Sequence, residues 1–327
     1  MRNAGRAMLP VRVNQSPMAY RFKIDEPPQK GVRRIAVRQI DGAVKRLTSD
    51  ADRAVAVHES RRAIKRMRSL LRLIRPGLSR KAYAAENTAF RDIGRMLSQA
   101  RDLDVVHETL TWLGQRHGAD AASLLAPVAG HVAQRRTQSF AVLEADVVAE
   151  AIQRLEAARV RWSRIKLSPG TFATLGEGFE AAYRGGRACL REACVKTSDE
   201  AIHEWRKAVQ RHRDHMQLLR PAWPEYCEAR YAAAKLLSVW LGDDHDLALL
   251  KAFSATASDL ELKRGQARAI AKLCEAEQER LRAAAWALGA RLFADEPDGL
   301  ARRMAIYWAT ASHIAREMAA GEPEEAG

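Results

Sequence analysis

The chain has 327 residues, with 54 Lys or Arg against 40 Asp or Glu, and carries a net charge of +14. That length can bury one large core or two smaller ones, and the surplus asks for a polyanionic partner. Its four cysteines, Cys189, Cys194, Cys227 and Cys274, show no C-x-x-C spacing, which argues against a disulfide framework or a structural zinc site. No 18-residue apolar run and no secretory h-region occur, so the expectation is a soluble, cytoplasmic chain with reduced thiols.

Residues 1–29 hold Pro10, Pro17, Pro27 and Pro28 with little periodicity and read as a disordered lead-in. Gly31 to Leu47 is amphipathic and carries Arg33, Arg34, Arg38, Lys45 and Arg46. Thr48, Ser49 and Asp50 supply turn and cap chemistry before the next helix. That helix, Val57 to Pro76 (VHESRRAIKRMRSLLRLIRP), organises the chain. At about 100° per residue, Ile64, Met67, Leu70, Leu71 and Ile74 share one side, and His58, Arg61, Arg62, Lys65 and Arg72 the other. From His58 to Arg75 the rise is about 25 Å. Arg61, Arg62, Lys65, Arg66, Arg68, Arg72 and Arg75 meet one acid there, Glu59. Like charges four apart repel along a helix, so the stripe asks for an external anion.

Pro76 and Gly77 stop this helix, and Ser79 opens a long one expected to run through Ala100 to Asp104. Asp102 and Asp104 read as partners of arginine rather than of a metal. Further helices are expected from about Asp120 to Val142 and Ala145 to Trp162, with Leu167–Gly170 (LSPG) as the boundary between halves. Beyond it lie helices near Thr171–Val195, carrying Arg184, Arg187 and Arg191, a long one reaching about Phe253, and two more near Leu260–Leu292 and Pro297–Met318. Residues 319–327 read as a flexible tail. No stretch alternates like a strand, so the fold class is all-α.

The organising helix occurs twice. Ile202 to Pro221 (IHEWRKAVQRHRDHMQLLRP) overlays it at an offset of 145, placing His203, Glu204, Arg206, Lys207, Arg211 and Arg213 on His58, Glu59, Arg61, Arg62, Arg66 and Arg68. The expected architecture is two related helical bundles, about 30–166 and 171–318. His212 and His215 replace Met67 and Leu70; they read as hydrogen-bonded interior histidines that meet Asp243, Asp244 or Asp246, with metal ligation as the alternative.

The H-x-x-R-[RK]-A-hydrophobic-x-R-x-R pattern, at His58–Arg68 and His203–Arg213, resembles the signature of the conserved-histidine α-helical, or CHAD, family. Ala100–Val106 (ARDLDVV) resembles its R-D-L-D segment, and Gly242–Leu247 (GDDHDL) holds the equivalent place in the second half. Val32–Gln39 and Tyr183–Leu190 resemble the basic helices that open each half. The resemblance implies two pseudo-symmetric bundles around a basic groove or pore. It also implies binding of inorganic polyphosphate, association with polyphosphate granules, and no catalysis or cofactor.

The residues expected to hold the ligand are His58, Arg61, Arg62, Lys65, Arg66, Arg68 and Arg72 from the first half. His203, Arg206, Lys207, Arg211 and Arg213 come from the second, flanked by Arg33, Arg34, Arg38, Arg184 and Arg187. The rival is a non-specific nucleic-acid binder, for which Trp205 and Gln210 leave room; the first stripe has no Asn, Gln or aromatic on its basic face to read bases. A phosphohydrolase would need a Walker loop or a nucleophile pattern, and neither occurs. Asp259–Lys263 (DLELK) faintly resembles the E-x-E-x-K motif of a triphosphate-processing barrel, with Asp in place of the first Glu, and reads as coincidence, having no strand context.

Overall fold

A computed structural model describes residues 20–49, 52–97, 102–139, 145–257, 260 and 262–321. Among them are eleven α-helices and no strand. The first half contains α1 (Pro28–Leu47), α2 (Arg53–Leu73), α3 (Arg80–Met96), α4 (Asp102–His117), α5 (Ala119–Ser139) and α6 (Ala145–Ser163). The second contains α7 (Phe172–Lys196), α8 (Asp199–Leu219), α9 (Pro224–Thr256), α10 (Gln266–Leu292) and α11 (Pro297–Gly321).

The local chemistry repeats with the sequence. Short 3₁₀ turns at Arg75–Gly77 and Arg220–Ala222 end α2 and α8 at matching prolines. The next helix starts with Ser79 Oγ accepting from the Ala82 N–H, and α8 itself starts with Ser198 Oγ accepting from Ala201. Such caps satisfy donors that a helix start leaves unpaired, worth about 1 kcal/mol each.

The apolar face read for α2 is buried: Ile64, Met67, Leu70, Leu71 and Ile74 are all in the core. Full burial of such side chains stabilises by about 2 kcal/mol each. One large core joins α1, α2, α3 and α6 to α7, α8 and α11. A second core packs Val106, Leu110 and Leu113 of α4 and Leu125, Val128 and Val132 of α5 against Leu247, Leu250, Ile270 and Cys274 of α9 and α10. Gly178 lets α7 cross α2, since a Cβ there would overlap the Leu73 carbonyl.

Two expectations need correction. The lead-in is ordered from Tyr20 onward: Tyr20 and Phe22 are buried, Tyr20 Oη donates to Arg66 O at 2.7 Å, and the Phe22 N–H to Leu218 O at 3.1 Å. The helix expected from Ser79 to Asp104 is two, since α3 ends at Met96 and α4, not foreseen as a separate element, begins at Asp102. Its counterpart α9 runs unbroken for 33 residues. Residues 1–19, Asp50, Ala100, Arg101, Asp259 and the last six residues lie outside the described residues, as does the Asp102 side chain. Asp104 accepts from Arg136 Nε at 2.8 Å and ties α4 to α5, as a register-fixing Arg–Asp pair does.

Candidate anion-binding site

The basic faces of α2 and α8 look onto one cavity of about 590 Å³. From α2 it is lined by His58, Arg61, Arg62, Lys65, Arg66, Arg68, Ser69 and Arg72; from α8 by His203, Glu204, Arg206, Lys207, Gln210, Arg211, Arg213 and Asp214. Val105 of α4 and His245, Asp246 and Leu249 of α9 complete the lining. Ten Arg or Lys therefore face three carboxylates, a surplus of seven. Glu204 accepts from Lys207, and Asp214 accepts from Arg213 at 2.9 Å and from Ser69 Oγ at 2.8 Å.

The cations strain against one another. Burial, then Arg62, holds the Arg66 guanidinium below its ordinary pKa. Burial, then Arg72, does the same to Arg68. For Arg211 the causes are burial and then Arg72 of the facing helix, so the repulsion crosses the cavity. Arg213 moves the other way: burial works against its charge, but Asp214 beside it outweighs that and raises its pKa. Guanidinium groups keep their charge through such shifts, and an anion entering the cavity would relieve the repulsion.

The imidazoles are discouraged from charging. His203 and His245 lie with ring centroids 4.2 Å apart. Burial, then Lys207 and Arg206, lowers His203, and burial, then His203, lowers His245 to about 4. His58, at the opposite helix start, is exposed and has Glu59 3.9 Å from its Nε2.

All twelve candidates on α2 and α8 line this cavity, and the five flanking arginines do not. Arg33 Nε donates to Ile165 O at 2.9 Å, and Arg34 is held by Glu26 and the Arg21 carbonyl. Arg38 is exposed on α1. Arg184 pairs with Glu180 on its own helix, and Arg187 with Glu296 at 2.6 Å. Glu180 is one helical turn from Arg184, but Ile165 and Glu296 are distant in sequence from Arg33 and Arg187, where the helical period gives no signal of them. The lining residues the sequence reading passed over include Ser69, Asp214, Asp246 and His245. The last two sit in the GDDHDL segment, whose place after the second signature helix was the available signal.

His212 and His215 do not meet the aspartates of α9. His215 Nε2 lies 3.0 Å from Ser69 O, and the His212 ring packs among Phe179, Tyr183 and Phe293. Asp244 instead accepts from Arg282 Nε at 2.5 Å. Among the described residues no three His, Cys, Asp or Glu side chains gather as a metal site requires. Trp205 is buried and stacked on Trp286 at 4.9 Å, so it presents no face for a base, whereas Gln210 does line the cavity.

The CHAD domain profile matches residues 33–255, about two thirds of the chain. The chain belongs to the CHAD family. Both signature helices of this CHAD chain and its paired basic faces lie inside the matched stretch. Among solved structures, PptA from Streptomyces chartreusis resembles it with a TM-score of 0.60 and 13% sequence identity, over 83% of this chain and 100% of that one. At that identity the likeness concerns the fold. No curated protein matches the chain. No helix among the described residues is long and apolar enough to cross a membrane.

Proposed function

We propose that this CHAD protein binds inorganic polyphosphate between α2 and α8, without turnover, and serves at polyphosphate granules. The observation that carries the reading is the cavity wall itself: ten Arg or Lys against three carboxylates, with arginines repelling one another across it. Arginine forks can donate two hydrogen bonds to one phosphate, and the excess of cations over base-reading groups favours a ligand that is phosphate throughout. Binding without chemistry fits the imidazoles, since His203 and His245 are driven toward the neutral form and would not donate protons near neutral pH.

Competition tests the ligand. At matched salt and matched total phosphate, long-chain polyphosphate should displace labelled DNA or RNA, and nucleic acid should displace labelled polyphosphate poorly. Salt alone cannot discriminate, because every polyanion loses affinity through counterion release. Nucleic acid stripping the polyphosphate at comparable phosphate would make the cavity a general polyanion site. Sustained phosphate release from polyphosphate with magnesium or manganese would overturn binding without turnover.

A further inference from the structure

Helix α3 stands beside the cavity and lends no residue to its lining. It packs antiparallel on α2, and at Gly94 a Cβ would sit 3.5 Å from Ile64 Cγ2. One turn along α2 from Ile64 is Arg68, a lining residue. The α3 residues flanking Gly94 include Arg91 and Arg95, which are four apart and so share one stripe of the helix. Tyr83 lies two turns before Arg91 on the same helix, about 12 Å along its axis at 1.5 Å per residue. The Arg72 guanidinium, also in the lining, lies 6.0 Å from the Tyr83 ring centroid, and that of Arg75 lies 5.1 Å away. Helix α3 therefore runs alongside α2 from Arg72 and Arg75 at its Tyr83 end to Ile64, one turn from Arg68, at its Gly94 end.

Of the two acids on α3, Glu86 and Asp92, one meets the stripe. Glu86 points inward, accepting from Arg161 and Trp162, and Asp92 pairs with Arg91 at 2.8 Å. Arg95 is exposed. Both arginines lie close enough to Arg68 to add to its repulsion, after burial and Arg72.

We propose that the anion path leaves the cavity past Arg68 and Arg72 and continues over α3, where Arg91 and Arg95 hold phosphates of a long chain. The inference rests on the reading of the cavity as a polyphosphate site and adds a preference for chains longer than the cavity holds. A short polyphosphate fills the cavity alone, whereas a long one spans both surfaces and gains the extra contacts in a single molecule.

The test uses the full-length protein and two probes, tripolyphosphate and long-chain polyphosphate, binding of each being measured by calorimetry. Arg91→Gln with Arg95→Gln should weaken the long chain roughly tenfold through lost charge contacts and leave tripolyphosphate within about twofold. Arg268→Gln with Lys272→Gln removes an exposed basic pair of the same spacing from α10 and should change neither. Equal long-chain binding by the α3 variant and the unaltered protein overturns the path. So does an equal loss in the α10 variant, which would make the effect one of net charge. If neither probe binds the unaltered protein, the cavity reading itself fails. An unchanged helical circular dichroism spectrum and melting profile establish that a loss belongs to the surface and not to the fold.

Discussion

Ser69 Oγ donates a 2.8 Å hydrogen bond to the carboxylate of Asp214, the residue 145 positions further on. That separation is the offset of the sequence repeat, so two equivalent positions touch where α2 meets α8. The next residue extends the junction, with His215 Nε2 at 3.0 Å from the Ser69 carbonyl. Asp214 also steadies Arg213 in the cavity wall, so a contact between the halves orders a residue of the candidate site.

Replacing Ser69 by Ala should cost about 1 kcal/mol, the usual net worth of such a hydrogen bond. Asp214→Ala should cost more, about 3 kcal/mol, because Asp214 is buried and Arg213 loses its counter-charge. Urea denaturation of both single variants and the double variant gives the coupling. Strict additivity would show that the junction contributes nothing as a pair.

A second expectation concerns acid. His215 and His245 are lowered to about 4 and His212 well below its ordinary value, in each case chiefly by burial. Folded pKa values below the unfolded one mean that the unfolded chain binds more protons in between. The stability is fully present above about pH 6.5 and is lost as pH falls toward about 4. The urea midpoint should fall through that window, and His212→Phe should flatten the fall. A midpoint constant from pH 7 to 4.5 would contradict the burial of these rings.

The crossing of α2 and α7 predicts opposite outcomes for two glycines of the same helix. Gly178→Ala drives a methyl into the Leu73 carbonyl, which should destabilise by about 3 kcal/mol or prevent folding. Gly185 has no neighbour within 4 Å of an added Cβ. Its replacement by Ala should stabilise by about 0.5–1 kcal/mol through helix propensity. Thermal melts of the pair check both signs, and equal effects would refute the packing.

Charge repulsion in the cavity also ties stability to binding. Arg72→Gln removes a cation that disfavours Arg68 and Arg211. The ligand-free protein should melt at a higher temperature, while the rise produced by saturating polyphosphate should shrink. Arg184→Gln, whose charge is already met by Glu180, should leave that rise unchanged. An unaltered ligand-induced shift in the Arg72 variant would remove it from the site.

The sequence showed the basic stripes and their buried backs because both obey one period: Arg62, Arg66 and Arg211 point one way and Met67 and Leu71 the other. The break between α3 and α4 was not legible, since no Gly or Pro stands between Met96 and Asp102. Nor could helical spacing separate an arginine that faces the cavity from one that serves a distant carbonyl. Arg33 bonds Ile165, 132 residues away, and only the tertiary fold brings that oxygen near. His212 and His215 were legible as interior residues but not in their company, because Phe179 and Phe293 come from α7 and the end of α10.

The strap from Tyr20 to Phe22 has a consequence for the order in which the chain can assemble. Tyr20 bonds to α2 and Phe22 to Leu218 near the end of α8, so the strap cannot finish docking on a ribosome until α8 has emerged. The α4–α5 hairpin waits longer still, its apolar face completed by Ile270 and Cys274. Contacts so far apart in sequence slow folding and delay its completion. A polypeptide cut at Leu167–Gly170 would therefore leave each piece with raw apolar surface that only the other piece can cover.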